Sequence, residues 1–384
     1  MVWIYGGGYN FGRTSQSTYD GENLAKKGVV LVSLSYRVNI LGFFSHPELS
    51  RESEHHTSGN YGILDLIAGL KWVQENIASF GGNPGNVTIF GESAGSGCVN
   101  ILQATPLAKG LFIRAIGEST SQMDGHGEQR YHTLAQAEEA GLAVAQSVGA
   151  KSIADLRKMP AGMLALKAPR QWPLENDNYV LPGEVYDLYA AGKQNKVDLL
   201  VGSNGEEGKV LHNIYVRTPT DAEKAPYQSL YGDKSDPIRF EATDAIQWEA
   251  VSWATLSRNT SNKPTYVYYF RHIPPPRPGE SESAGPVHAS EMIYVFNNLQ
   301  TRDAAWTDAD RRIADLMSSY WTNFAKTGNP NSAGLPQWPG FDPANPQVME
   351  LMDNGAAAPL PHQDALRFFD GYFKRLRSER KGHS

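Results

Sequence analysis

Gly91-Glu92-Ser93-Ala94-Gly95 is the stretch of this chain whose residue types and spacing suit nucleophilic chemistry. It follows the β-branched and aromatic run Val87-Thr88-Ile89-Phe90 and precedes a helix-compatible segment, Ser96 to Leu102. Strand, sharp turn and helix in that order make a nucleophile elbow. The serine takes an unusual backbone conformation that lifts Oγ clear of the sheet, and the flanking glycines let the two segments pack closely. A serine hydroxyl is almost wholly protonated near neutral pH. It therefore needs a base within hydrogen-bond reach, and the base needs an acceptor that fixes its tautomer and stabilises its charged form. Gly6-Gly7-Gly8, after the apolar run Val2-Trp3-Ile4-Tyr5, can present backbone N–H groups to an oxyanion. In a chain with 37 glycines either motif alone could be an ordinary turn. A glycine-rich loop after a strand, upstream of an elbow, is the expected source of oxyanion donors.

The elements that must carry these groups are readable from periodicity. Val29 to Tyr36 reads as a second strand. Asn60 can cap a helix from Tyr61 to about Phe80, with Leu66, Leu70, Val73 and Ile77 as its apolar stripe and Gly81-Gly82 as its stop. Phe112 to Ile116 is the next strand, ending at Glu118-Ser119, and Gln129 to Met163 reads as helices of a side region. Val197 to Gly202 and Tyr266 to Phe270 are further strands, the latter followed by the stiff Pro274-Pro275-Pro276-Arg277-Pro278. Thr307 begins a capped helix whose Ile313, Leu316, Met317, Tyr320, Trp321 and Phe324 form one face, closed by Gly328-Asn329-Pro330. Strands alternating with helices predict a mostly parallel sheet with crossover connections.

With 384 residues and a formal charge of −6, the chain can bury a large core and has no basic block in its body that would point to nucleic acid. The basic ending, Lys374 to Lys381, reads as a solvated terminus. The single cysteine, Cys98, excludes an intrachain disulfide and reads as a buried structural thiol. No apolar run approaches the ~18 residues of a membrane span. There is no metal-ligand spacing, and no cofactor is called for. Trp172, Trp248 and Trp253 suit either core packing or an aromatic lining.

Phe80-Gly81-Gly82 followed by Val87, Ile89, Gly91, Ser93, Ala94 and Gly95 resembles the type-B carboxylesterase and cholinesterase family. "VWIYGGGYNFG" at Val2 to Gly12 looks like that family's oxyanion loop, and "LVSLSYRVNILGF" at Leu31 to Phe43 like its next strand and turn. The resemblance is strong through Ser119, runs in weaker ordered matches to the end, and is least recognisable from Lys209 to Arg258. It implies the α/β-hydrolase fold, with a mostly parallel central sheet flanked by helices. It also implies one catalytic domain over 1–384, with helical cap insertions at about 129–190 and 209–260.

"GSNGEEG" looks like the family segment that carries the acid and places it at Glu207, with Glu206 pointing the other way. "GPVHASEMIYVF" looks like the histidine segment and gives His288, with His272 as its rival. His46, His55 and His56 precede the elbow and fit the order serine, acid, histidine poorly. By the same resemblance the oxyanion donors are Gly7, Gly8 and Ala94, Glu92 and Glu291 match acidic positions near the site, and Ser119 is a supporting residue. Thr120 and Ala289 stand where the family usually has glycine. The second change is tolerated unless the backbone there needs a positive φ.

The activity implied is a serine carboxylic-ester hydrolase that forms an acyl-enzyme on small to medium carboxylic esters. Its partner is then a small-molecule ester, and its rate falls on the acid side as His288 protonates. The alternatives are a catalytically impaired fragment or a non-enzymatic binding member, and the survival of serine, acid and histidine argues against the latter. Met1 already stands in the strand leading to the oxyanion loop, whereas the family has sheet strands before it. The expectation is a chain short at its N-terminus, with the Val29 to Tyr36 strand exposed as an apolar edge and stability reduced.

Overall fold

The computed structural model describes residues 1–123, 131–167, 174–211, 225, 229–230 and 243–382. Among them the main sheet has eight strands. In chain order they are β1 (Val2–Ile4), β2 (Val32–Leu34), β3 (Thr88–Glu92), β4 (Arg114–Glu118), β7 (Asp198–Asn204), β8 (Thr265–Phe270), β9 (Gln347–Leu351) and β10 (Ala356–Pro359). A separate parallel pair, β5 (Tyr131–Thr133) and β6 (Leu174–Asn176), lies in the side region. The main sheet runs β10-β9-β8-β7-β4-β3-β1-β2, parallel throughout except for the antiparallel β9–β10 hairpin. β1 is paired on both sides, Val2 with Val32 and with Ile89, while β2 is the edge strand and is half-buried. The central strands β3 and β4 are buried throughout, as expected of parallel strands covered on both faces.

Helices cover the sheet where the periodicity predicts. Tyr61–Asn76 continues as a 3₁₀ turn to Phe80 and stops at Gly81 in the left-handed region. Asn60 is not its side-chain cap. Its backbone is left-handed, and its amide instead donates to the Glu175 carbonyl at 3.0 Å and to Asp177 at 3.2 Å, tying the helix start to β6 and the residue after it. Asp308–Thr327 does carry the expected device: Thr307 Oγ1 accepts from the Asp310 N–H at 3.2 Å and Asp310 Oδ2 accepts from the Thr307 N–H at 2.8 Å. Such a box contributes about 1 kcal/mol.

The C-terminal reading is corrected. Gln363–Gly382 is a helix, not a solvated tail: Phe369, Phe373 and Leu376 are buried, Arg377 lies 3.6 Å over the Tyr186 ring, and Arg380 pairs with Glu184 at 2.8 Å. The apolar periodicity inside the charged text (Ala365, Leu366, Phe369, Phe373, Leu376) dictates burial despite the basic composition. Trp248 and Trp253 are core residues, with indole N–H groups donating to Asp370 and Gln103. Trp172 lies outside the described residues. Around the side region a smaller apolar cluster of Ile40, Phe44, Ala145, Ala150, Ile153, Leu156 and Leu164 joins the helices Leu134–Ser147, Ile153–Leu156 and Ala161–Lys167 to the body. Among the described residues no helix is long and apolar enough to cross a membrane.

Candidate active site

Ser93, Glu92, Glu207, His288 and the glycine loop gather at the carboxyl ends of the parallel strands, where open α/β sheets place their ligands. Gly6 to Gly8 follow β1, Glu92 closes β3 before Ser93, Glu118 closes β4 before Ser119, and Glu207 comes three residues after β7. His288 lies near the end of the long connection from β8 to the helix Met292–Val295. Ser93 has φ 56° and ψ −129°, between the strand and the helix Ala94–Ala104, and its N–H donates to the Glu118 carbonyl at 2.9 Å. The glycines around it are sterically required. A Cβ on Gly95 would lie 2.1 Å from the Ile4 carbonyl oxygen, and one on Gly91 2.6 Å from the Gly95 backbone. A Cβ on Gly6 would lie 2.8 Å from Ser93 Cβ, so the glycine loop and the elbow are in direct contact. Gly7 and Gly8 hold φ values of 111° and 60°. Ala94, first in its helix, has an N–H with no partner within the helix.

Glu207 and His288 are brought together. Glu207 Oε2 lies 2.6 Å from His288 Nδ1, and its Oε1 accepts the Asn204 N–H at 2.7 Å. Glu206 points outward to Lys209, at 2.7 Å. The other face of the imidazole, Nε2, lies 3.1 Å from Glu92 Oε1 and makes no hydrogen bond among the described residues. Burial opposes the imidazolium, but the Glu92 and Glu207 carboxylates outweigh it and hold the His288 pKa up at about 9. Burial raises Glu92 to about 7, with His288 pulling it down and Glu207 adding to the rise. Glu291 is raised to about 8 by burial and by Glu92 and Glu207. It is held by Asn204 Nδ2 and by the Ser119 hydroxyl at 3.3 Å.

The rival histidines have structural environments. His272 is buried, with Nδ1 2.9 Å from Asp353 and Nε2 2.8 Å from Asp310. His46 Nδ1 accepts the Glu48 N–H at a helix start, and His55 stacks on Tyr179. Cys98 is fully buried and its thiol is pushed up by that burial. Two residues near the site escape sequence reading. Glu118, seen there only as a strand end, is buried and accepts the Trp321 indole N–H at 3.0 Å, and Asn204 links the loops of Glu207, His288 and Glu291. Glu118 had a signal, a carboxylate at a strand end next to the elbow strand, but Asn204 had none. The condition attached to Ala289 is met: its φ is +64°, so the small substitution carries backbone strain.

The chain matches the Carboxylesterase family over residues 1–236 and 233–369. It belongs to the carboxylesterase family. Fumonisin B1 esterase of Sphingopyxis macrogoltabida is 32% identical over 379 residues, 89% of this chain and 67% of the relative. Liver carboxylesterase 1F of Rattus norvegicus is 33% identical over 410 residues, 93% of this chain and 70% of the relative. Among solved structures, a PNB esterase superposes with a TM-score of 0.80 at 29% identity, covering 96% of this chain and 79% of that one. A Geobacillus stearothermophilus carboxylesterase gives 0.80 at 28%, covering 96% and 81%. The sheet and its flanking helices are the α/β-hydrolase fold. This carboxylesterase-family chain thus has the fold expected from its sequence, with helices Gly208–Leu211 and Asp244–Thr260 flanking the largest undescribed stretches.

Proposed function

We propose that this chain is a serine carboxylic-ester hydrolase acting on small to medium esters. Ser93 is the nucleophile, His288 the general base and Glu207 its orienting carboxylate. The observation that carries this reading is the 2.6 Å contact between Glu207 Oε2 and His288 Nδ1, on an imidazole whose Nε2 lies 3.1 Å from Glu92, the residue before a serine with φ 56°. A carboxylate on Nδ1 fixes the tautomer that presents Nε2 as base. Nε2 takes the Ser93 proton as Oγ attacks the ester carbonyl. The resulting oxyanion is stabilised by the N–H groups of Gly7, Gly8 and Ala94, and the proton returns to the leaving alcohol. Water, activated by the same imidazole, then cleaves the acyl-enzyme. Nε2 must meet Oγ for this sequence to run, and such contacts commonly tighten only when substrate is bound.

The test is hydrolysis of p-nitrophenyl acetate and butyrate by the protein and by Ser93→Ala. We expect kcat to fall by roughly 10⁴-fold or more. Undiminished turnover by a clean Ser93→Ala preparation would move the nucleophile elsewhere. Folded protein with no Ser93-dependent turnover would favour a binding role.

A further inference from the structure

Tyr9 stands between the glycine loop and the nucleophile helix, and its backbone is in a conformation a bulky residue rarely takes. Its φ is +61°, directly after Gly7 and Gly8. Such a conformation persists only where the surroundings over-determine it. Here the Tyr9 carbonyl accepts the Asn39 N–H at 2.6 Å, the ring packs edge-on against Phe43, and the phenol oxygen accepts from Gln122 Nε2 at 2.6 Å. The hydroxyl rests on Gly97, where a Cβ would lie 2.2 Å from Tyr9 Oη and 2.7 Å from Gln122 Nε2. Gly97 is one turn along the elbow helix, its N–H donating to the Ser93 carbonyl at 3.0 Å. Gln122 is itself anchored: its N–H donates to Asn100 Oδ1 on that helix at 2.9 Å, and the adjacent Ser121 N–H donates to Glu249 Oε2 at 2.7 Å.

We propose that Tyr9, through its hydroxyl and Gln122, is a positioning residue that sets the distance between the Gly7 and Gly8 N–H groups and Ser93 Oγ. This rests on the esterase reading above. The hydroxyl reaches from the residue immediately after the glycines to the first turn of the helix that starts at the nucleophile, so it ties the two halves of the oxyanion site together. An error of about 1 Å in such a site costs up to about 10²-fold in rate. Because Tyr9 acts on donor placement, its loss lowers kcat whatever the acyl group and spares ground-state binding.

The experiment compares the parent with Tyr9→Phe, Gln122→Met and the double variant. It measures kcat and KM on p-nitrophenyl acetate and butyrate, inhibition by an aryl trifluoromethyl ketone, the fraction of Ser93 labelled by a fluorophosphonate, and the melting temperature. Each single variant is expected to lose about tenfold in kcat on both esters, with KM within about twofold. The ketone, which binds as an oxyanion, should weaken by the same factor, with full labelling, an unmoved acid limb of the rate profile and an unchanged melting temperature. The double variant should be no worse than either single one. Undiminished kcat in Tyr9→Phe, losses that multiply in the double variant, or a loss that merely follows the labelled fraction would overturn the proposal. If parent turnover does not need Ser93, the esterase reading itself fails. If it needs Ser93 yet ignores Tyr9→Phe, only the positioning role fails.

Discussion

Glu92 Oε1 approaches His288 Nε2 to 3.1 Å, on the face of the ring opposite Glu207. The imidazole is therefore held between two buried carboxylates, and the one facing Nε2 belongs to the residue just before Ser93. A ring so flanked favours its protonated form, although burial alone would do the reverse.

With His288 as the proposed base, only its neutral form would act, so its raised pKa should push the acid limb of the kcat/KM profile upward, toward the value of about 9. Glu92→Gln removes the charge that faces Nε2 and should bring that limb down by about one pH unit or more. A limb that stays in place in Glu92→Gln would show that Glu92 does not tune the base.

Stability should move the other way with pH. Glu92 and Glu291 have folded-state pKa values of about 7 and about 8, above the roughly 4.3 of an unfolded glutamate. The folded state thus binds more protons, and the contribution of these groups is fully present below about pH 4.3 and is lost as pH rises through 7 to 8. His288 has the same sign, its contribution fading as pH rises through about 9. The melting temperature should fall between weakly acidic and alkaline pH, and Glu291→Gln should flatten that slope. A melting temperature that climbs across this range in calorimetry would contradict the assignment.

Ala289 holds φ +64° immediately after His288. Left-handed backbone costs a non-glycine residue about 1–2 kcal/mol, part of which glycine returns through the entropy of the unfolded chain. Ala289→Gly should stabilise the protein by about 0.5–1 kcal/mol in urea melts with turnover preserved. A destabilised variant would mean that the Ala289 methyl packs more favourably than the strain costs.

His272 bridges Asp310 and Asp353, and Asp310 also accepts the Tyr294 hydroxyl at 2.8 Å. His272→Gln should cost about 2 kcal/mol of stability, since it removes a buried side chain hydrogen-bonded to two carboxylates. The rate per fluorophosphonate-titrated site should stay at the parent value. A hundredfold loss per site would make His272, not His288, the base.

The elbow was legible because its requirement is local. Strand residues, a strained serine and two glycines at fixed spacing are all sequence properties, and the contacts a Cβ would make at Gly91 and Gly95 are their physical cause. The helix Asp308–Thr327 was legible for the same reason, its box and apolar stripe lying in one window. Glu207 and His288 entered only through family likeness, since nothing local ties residues 81 apart in the chain.

What escaped the sequence depends on tertiary partners. Asn60 has a cap residue's chemistry, yet Glu175 and Asp177, both distant in sequence, take its side chain. Composition hides the Gln363–Gly382 helix, because its basic residues mask the apolar spacing beneath them. The left-handed backbone at Ala289 was visible only as a condition.

The run of parallel strands that gathers the site also fixes when the site can exist. β7 pairs with β8 only after a long excursion of chain has been closed, and the loop to His288 begins where β8 ends. Non-local parallel pairing of this kind is slow, because closure entropy is lost before contacts repay it. The Glu207–His288 contact should therefore form late in refolding, and recovery of Ser93 labelling that lags recovery of helicity in a stopped-flow experiment would show it.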